Sequence, residues 1–424
     1  MALPVLQFGT LSNWVGSHFW DCNSALQPSQ EGEFIRETIY DEHDHPRLLL
    51  TDFKQEFGGM PSTGYREAID ESVYLHTSHN DLQVETFVSE GFGLNTYLAD
   101  QFSLDKETKE AINEIDEVED NGFKYWSGFF TPDVRSNNLY SLNASFSTKE
   151  LCIDADSLVT PEMTYDMEDR FASLLESCDS VSRVPYFVDM DTFWGGVSAK
   201  LLPIYKDYWG SSRFQLWSLN DSPFTNNSTI KAFNTAVSLY DLLDVSPFIV
   251  PIDVNGTKDT VFNDSLQSAL AVHTGFSPLM AHRAFNLESL VPRSPQTAVR
   301  MVFQRNKVPS PLRGAQSRTF NMATFSRGVE EGLITRYFNT PVISTFEEHK
   351  TKGGILFTSD EKAGDYFKVF DKFDSAFSIA QKRGADLSRI DKADIIEQLH
   401  YRYDAYQPED VLLDDDIDDE LWDQ

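Results

Sequence analysis

Apolar and polar positions along this chain fall into blocks whose period switches, and the switches mark its elements. Val184 to Val188 is an unbroken apolar, β-rich run of the kind that lies buried in a parallel sheet. After Gly195-Gly196, where a sharp turn is expected, Val197, Leu201, Ile204, Tyr205 and Tyr208 recur at helical spacing. Residues 183–209 therefore read as strand, tight turn and crossover helix. The opening of the chain has the same order: Pro4 to Phe8 is a short apolar strand ending at Gly9, and Asn13 to Leu26 carries Trp14, Val15, Phe19 and Trp20 on a helix.

The same reading predicts a buried strand over LLLTDF, residues 48–53, with an aspartate near its end. Thr160-Pro161 caps and opens a helix whose apolar stripe is Met167, Phe171, Leu174, Leu175 and Cys178. Strands follow at Phe214 to Ser218 and Pro247 to Pro251, alternating with helices at Thr229 to Leu243 and Ser265 to Val272. Such alternation predicts an α/β fold: a doubly wound parallel sheet with helices on both faces, continuous from residue 1 to about 280, with the first strand beside the 184–188 strand. Toward the end, Tyr366, Phe370, Phe373, Phe377 and Ala380 share one helical stripe that stops at Gly384, and this stripe is expected to pack on the body. A second helix starts near Asp391 and buries Ile395, Leu399 and Tyr403.

Between these blocks, DKETKEAINEIDEVEDN at residues 105–121 is polar and acidic and marks a boundary. The expected organisation is an N-terminal segment over 1–120, a second sheet segment over 121–285, an α+β or helical part over 286–408, and an acidic disordered tail over 409–424. In that tail nine of sixteen residues are acidic, whereas Ser289 to Val329 has seven Arg or Lys and no carboxylate. The tail reads first as a solvated segment that only aids solubility, and otherwise as one that makes a labile, salt-sensitive contact with the basic segment.

Charge narrows the partners. At −32 over 424 residues the surface repels phosphate backbones and anionic headgroups, so no direct nucleic-acid partner is expected. No run of about 18 apolar residues is present to span a membrane, and the first residues lack the basic region of a secretory signal. The expectation is a soluble, internal protein. Three cysteines without a CxxC spacing fit a reducing compartment.

Candidate chemistry collects at the carboxyl ends of the strands, where free N–H groups and the helix dipole favour an anion. Gly195 and Gly196 form either a phosphate cradle or a plain turn, and Asp189 and Asp191 face the same crevice, where carboxylates hold magnesium or repel a phosphate. His43 and His45 beside Asp41, Glu42 and Asp44 read as a solvated acidic loop before a metal site, because no rigid element places further ligands. His76 and His79 read as structural. No GxSxG, HExxH or GxxxxGK motif supports an unrelated enzyme.

The opening LQFGTLSNWVGSHFW, residues 6–20, resembles the tubulin start. Together with HPRLLLTDFK at 45–54, Tyr125-Trp126-Ser127 and FVDMDTFWGGVSAKLL at 187–202, it is closer still to the misato family of tubulin-like proteins. The resemblance implies a tubulin-like fold and a non-catalytic role in the distribution, morphology and inheritance of mitochondria and their DNA. It also implies a cytoplasmic protein at the mitochondrial outer surface, with protein partners there or on the cytoskeleton. A guanine-nucleotide-binding switch or cytoskeletal GTPase is the alternative it implies. On that reading GTP or GDP would lie on Gly9, Thr10, Thr192, Gly195, Gly196, Ser198 and Asn234, with Asn263 a second candidate for the base. Trp194, Val197 and Ser198 stand where the tubulin loop has glycine, threonine and glycine. An indole thus replaces a hydrogen where backbone would approach a phosphate, and no cofactor is expected. Without a match to the tubulin hydrolysis motif in residues 255–300, a monomer or small oligomer is expected.

Overall fold

The computed structural model describes residues 2–24, 37–57, 126–130, 132, 134–142, 151–181, 183–209, 214–221, 229–243, 245–246, 249–254, 300–305, 319–327, 342–344 and 353–407. The expected helix at 265–272, the 105–121 boundary, Asn263, the 76–79 histidine pair and the acidic tail lie outside these residues.

The N-terminal half is built from β1 (Val5–Phe8), α1 (Thr10–Ser24), β2 (Leu48–Phe53), β3 (Leu139–Leu142), α2 (Pro161–Glu176), β4 (Val184–Asp189), α3 (Phe193–Trp209), β5 (Phe214–Asn220), α4 (Thr229–Leu242) and β6 (Ile249–Asp253). The six strands form one parallel sheet in the order β3-β2-β1-β4-β5-β6. This is the doubly wound arrangement expected, with β1 hydrogen-bonded to β4 through Leu6 opposite Tyr186. Every residue of β1, β2, β4 and β5 is buried, which explains their continuous apolar character.

Period-two alternation divides the strand side chains between two covered faces. Leu6, Phe8, Leu49, Phe53, Tyr186, Val188 and Leu216 meet α2, α3 and α4 in one large core. On the opposite face Phe187 receives α1, with the ring of Phe19 6.3 Å away. Thr160 caps α2 as expected by accepting from the Met163 N–H, and Pro161 takes its first position.

The remaining elements are β7 (Arg300–Arg305), β8 (Thr319–Arg327), β9 (Val342–Ser344), β10 (Gly353–Asp360), α5 (Phe370–Lys382) and α6 (Lys392–Asp404). The four strands form a second, mixed sheet, β7-β10-β8-β9, in which β10 runs antiparallel to both neighbours. Sequence periodicity did not resolve these strands; part of the basic stretch is built into β7 and β8.

One expected element differs. The 366–380 stripe is not one helix: a 3-10 turn over Asp365–Val369 precedes α5. The tighter turn rotates Tyr366 inward, and its hydroxyl meets the Ser218 hydroxyl at 2.5 Å beneath β5. The Phe stripe nonetheless packs on the body, with Phe373 fully buried and stacked on Phe233 of α4 at 5.8 Å. Asp391 caps α6 through the Ala393 and Asp394 amides, and Ile395 and Leu399 are buried.

Because Phe373 is the large α5 side chain fully buried against α4, Phe373→Ala should lower unfolding free energy by about 3–5 kcal/mol. Urea denaturation measures this, and a loss under about 1 kcal/mol would show that the C-terminal helices are held by something else.

Candidate functional site

The site expected from sequence forms where β1, β2 and β4 end. Gly9 terminates β1 with φ +109°, a conformation that side chains resist, and α1 begins at the next residue. A glycine at the cap position has no side chain to accept the helix's free amides. The acceptor comes from far along the chain: Asp189, at the end of β4, accepts from Leu11 N–H at 2.8 Å, Ser12 N–H at 2.6 Å and the Ser12 hydroxyl at 2.5 Å. Its carboxyl is buried, which pushes it well above the ordinary carboxylate range against the pull of those donors.

Beside it, Asp52 of β2 gathers four donors. Thr10 hydroxyl (2.9 Å) and Phe53 N–H (2.8 Å) reach Oδ1, while Asn13 Nδ2 (2.9 Å) and Trp126 Nε1 (2.9 Å) reach Oδ2. Burial raises this carboxyl to about 7 although Asn13, Phe53 and Thr10 work to lower it. Trp126 belongs to the aromatic segment noted in sequence, and its ring also packs on Phe57 at 5.3 Å. What the sequence did not reveal was that Trp126 and Asp52, 74 positions apart, bond one another; an aspartate at the carboxyl end of a buried strand was the only signal.

The glycine pair lies elsewhere than expected. Gly195 and Gly196 sit inside the first turn of α3, not in the turn that precedes it. A Cβ on Gly196 would overlap the Cys152 carbonyl oxygen, and one on Gly195 would meet the Met190 oxygen at 2.8 Å as well as Ser238. These positions need hydrogen because backbone and helix α4 press against them. Thr192 caps α3, its hydroxyl accepting from Trp194 N–H at 3.2 Å. The Ser198 hydroxyl bonds back to the Trp194 carbonyl at 2.8 Å.

Trp194 is buried, with its ring 4.8 Å from that of Phe53. A Cβ on Gly9 would lie 2.7 Å from Trp194 Cδ1 and closer still to Asp189 Oδ2, so the β1–α1 turn is covered by the indole and the carboxyl together. Asn234 is occupied at both ends, accepting from Cys152 N–H at 2.8 Å and donating to the Asp191 carbonyl at 3.1 Å. Asp191, raised by burial to about 6, accepts from Asp221 N–H at 3.1 Å and lies 3.6 Å from Lys231 Nζ. The expected residues thus converge on one sheet edge, where Asp189 holds the Leu11 and Ser12 amides and Asn234 is bonded to Cys152 and Asp191.

The histidine-rich loop is a braced turn. Asp41 Oδ1 accepts from His43 and His45 N–H at 2.8 and 2.9 Å, and Arg135 binds its other oxygen at 2.7 Å. Among the described residues no group of three or more His, Cys, Asp or Glu is placed to hold a metal ion, and no helix is long and apolar enough to cross a membrane.

Residues 4–101 match the Misato Segment II tubulin-like domain. Over that stretch the chain is similar to the misato tubulin-like segment. Its relatives agree: it is 26% identical over 305 residues to Protein DML1 of Gibberella zeae, covering 66% of this chain and 58% of that protein. It is 23% identical over 308 residues to Protein dml1 of Schizosaccharomyces pombe, covering 63% of each. With mouse Protein misato homolog 1 it shares 21% identity over 292 residues, 59% of this chain and 50% of that protein. The chain therefore spans between 50% and 63% of the length of these misato and DML1 relatives. The six-stranded parallel sheet with its helices is the tubulin-like fold that the misato resemblance implied.

The buried carboxyls at this sheet edge make stability depend on pH. Asp52, Asp189 and Asp191 all have folded values above their ordinary 3.8, so above that value the folded state holds more protons than the unfolded chain. Their stabilising contribution is complete at low pH and is lost as pH rises toward the folded values. His18, lowered to about 4 by burial, opposes this only below its ordinary 6.5. From about pH 6 to about pH 8, Asp52 alone should cost about 1–2 kcal/mol. Urea midpoints should fall over that range and fall less in Asp52→Asn; a midpoint that rises would contradict the assignment.

Proposed function

We propose that this protein is a non-catalytic tubulin-like scaffold that acts in the distribution, morphology and inheritance of mitochondria and their DNA. It works from the cytoplasm at the mitochondrial outer surface, through protein partners, and needs no guanine nucleotide. The misato and DML1 relatives support the biological part of this reading. The observation that carries the nucleotide-independent part is the covering of Gly9 by the Asp189 carboxyl and the Trp194 indole. A nucleotide there would have to displace a buried ring packed at a tilt against Phe53 and break three hydrogen bonds, with Asn234 already spent on Cys152 and Asp191.

The net charge of −32 works against head-to-tail self-association at ordinary ionic strength. The protein should sediment as a monomer or small oligomer, and regular filaments at micromolar concentration would oppose the scaffold reading.

Nucleotide analysis of purified, heat-released protein should find no stoichiometric GTP or GDP; finding either would overturn nucleotide independence. Depletion in cells should collapse mitochondrial distribution and lower mitochondrial DNA, with both restored by the intact chain. Normal mitochondria and normal DNA content after depletion would refute the cellular role.

A further inference from the structure

The start of α1 is bound as a helix terminus binds an oxyanion. Two oxygens of one carboxyl group accept from three donors, two of them consecutive main-chain amides, at 2.5–2.8 Å. The group comes from β4, more than 170 positions away, and it is 2% exposed. Gly9 makes the room, because a Cβ there would fall on Asp189 Oδ2. A further donor stands beside it. The Trp194 indole, whose Cδ1 lies 2.7 Å from the same Cβ position, has a buried Nε1 without a hydrogen-bond partner. The neighbouring Asp52 is no substitute for Asp189, since its oxygens are taken by Thr10, Asn13, Phe53 and Trp126.

We infer that Asp189 is a built-in stand-in for an oxyanion, and that removing its side chain uncovers an oxyanion site at the Leu11 and Ser12 amides and the Ser12 hydroxyl, beside the indole of Trp194. The chain thereby closes its own tubulin-like core without a ligand. This deepens the nucleotide-independent reading and states its cause: the anion position is filled in cis.

Melting of the full chain in phosphate, against chloride at matched ionic strength, tests the inference. Asp189→Ala should melt below the parent, and about 20 mM inorganic phosphate should recover several degrees of that loss while leaving the parent unmoved. Asp189→Asn keeps one acceptor oxygen and fills the space, so it should melt between the two and ignore phosphate. Adding GDP to Asp189→Ala separates a nucleotide's phosphate from the free ion; rescue by either supports a latent oxyanion site. A variant that melts with the parent, or phosphate shifting parent and variant equally, would sink the inference.

Should Asp189→Ala fail to fold, hydrogen exchange in the parent decides. Residues 11–13 should exchange as slowly as the β1 amides and be unchanged by GTP; exchange at loop rates, or slowing on addition of GTP, would overturn it. A nucleotide-free parent whose Asp189→Ala variant ignores phosphate would defeat this inference alone. Bound guanine nucleotide in the parent would defeat the scaffold reading with it.

Discussion

The pairing of Asp189 with the Leu11 and Ser12 amides is the contact on which the carboxyl edge of the sheet depends. A helix leaves its first N–H groups unmatched, and α1 follows a glycine that offers no capping side chain. In water the cost would be small, but this terminus is half-buried at Leu11 and buried at Ser12, where an unmatched amide costs about 1–3 kcal/mol. Asp189 meets that demand and in doing so ties β4 to α1 over β1. The orientation of α1 then follows, and with it the placement of Phe19 against Phe187 and Trp20 against Tyr40.

The arrangement has a thermodynamic consequence. Three carboxyl groups, Asp52, Asp189 and Asp191, are buried at one sheet edge, and burial raises each above its ordinary value. Buried charge is tolerated where donors surround it, which is the case for Asp52 with its four partners and for Asp191 with Asp221 and Lys231. Such an edge is not what a chain would use for stability alone. Its carboxyl groups instead occupy places where polar ligands commonly bind in open α/β sheets.

Stability comes from the other side of the sheet. Tyr205 stacks on Phe171 at 4.4 Å, Phe53 packs on Trp194, and Phe373 stacks on Phe233, so one aromatic core links α2, α3, α4 and α5. The glycine pair belongs to this packing. With only hydrogen at 195 and 196, α3 approaches the Cys152 backbone and α4 more closely than any side chain would allow. A motif that looks like a ligand cradle in sequence is, in the folded chain, a point of close backbone contact.

What the sequence by itself determined is the order and type of the buried elements. Continuous apolar runs such as 48–53 and 184–188, helical stripes such as Met167-Phe171-Leu174, and the Thr160-Pro161 cap are local signals, and the parallel sheet follows from their alternation. Gly9, Asp52 and Asp189 were legible as residue types near strand ends, and Asn234, inside α4, only through the family resemblance. Strands 300–305 and 319–327 were not, because polar residues interrupt their few apolar positions and their pairing is long-range. Only the tertiary structure decided what the site residues do. Whether Asp189 holds an ion or fills the place of one, and whether Asn234 is available to a base or spent on Cys152, depends on partners 177 and 82 positions away. No local pattern encodes such distances; they appear only when the strands are in register and the helices pressed upon them.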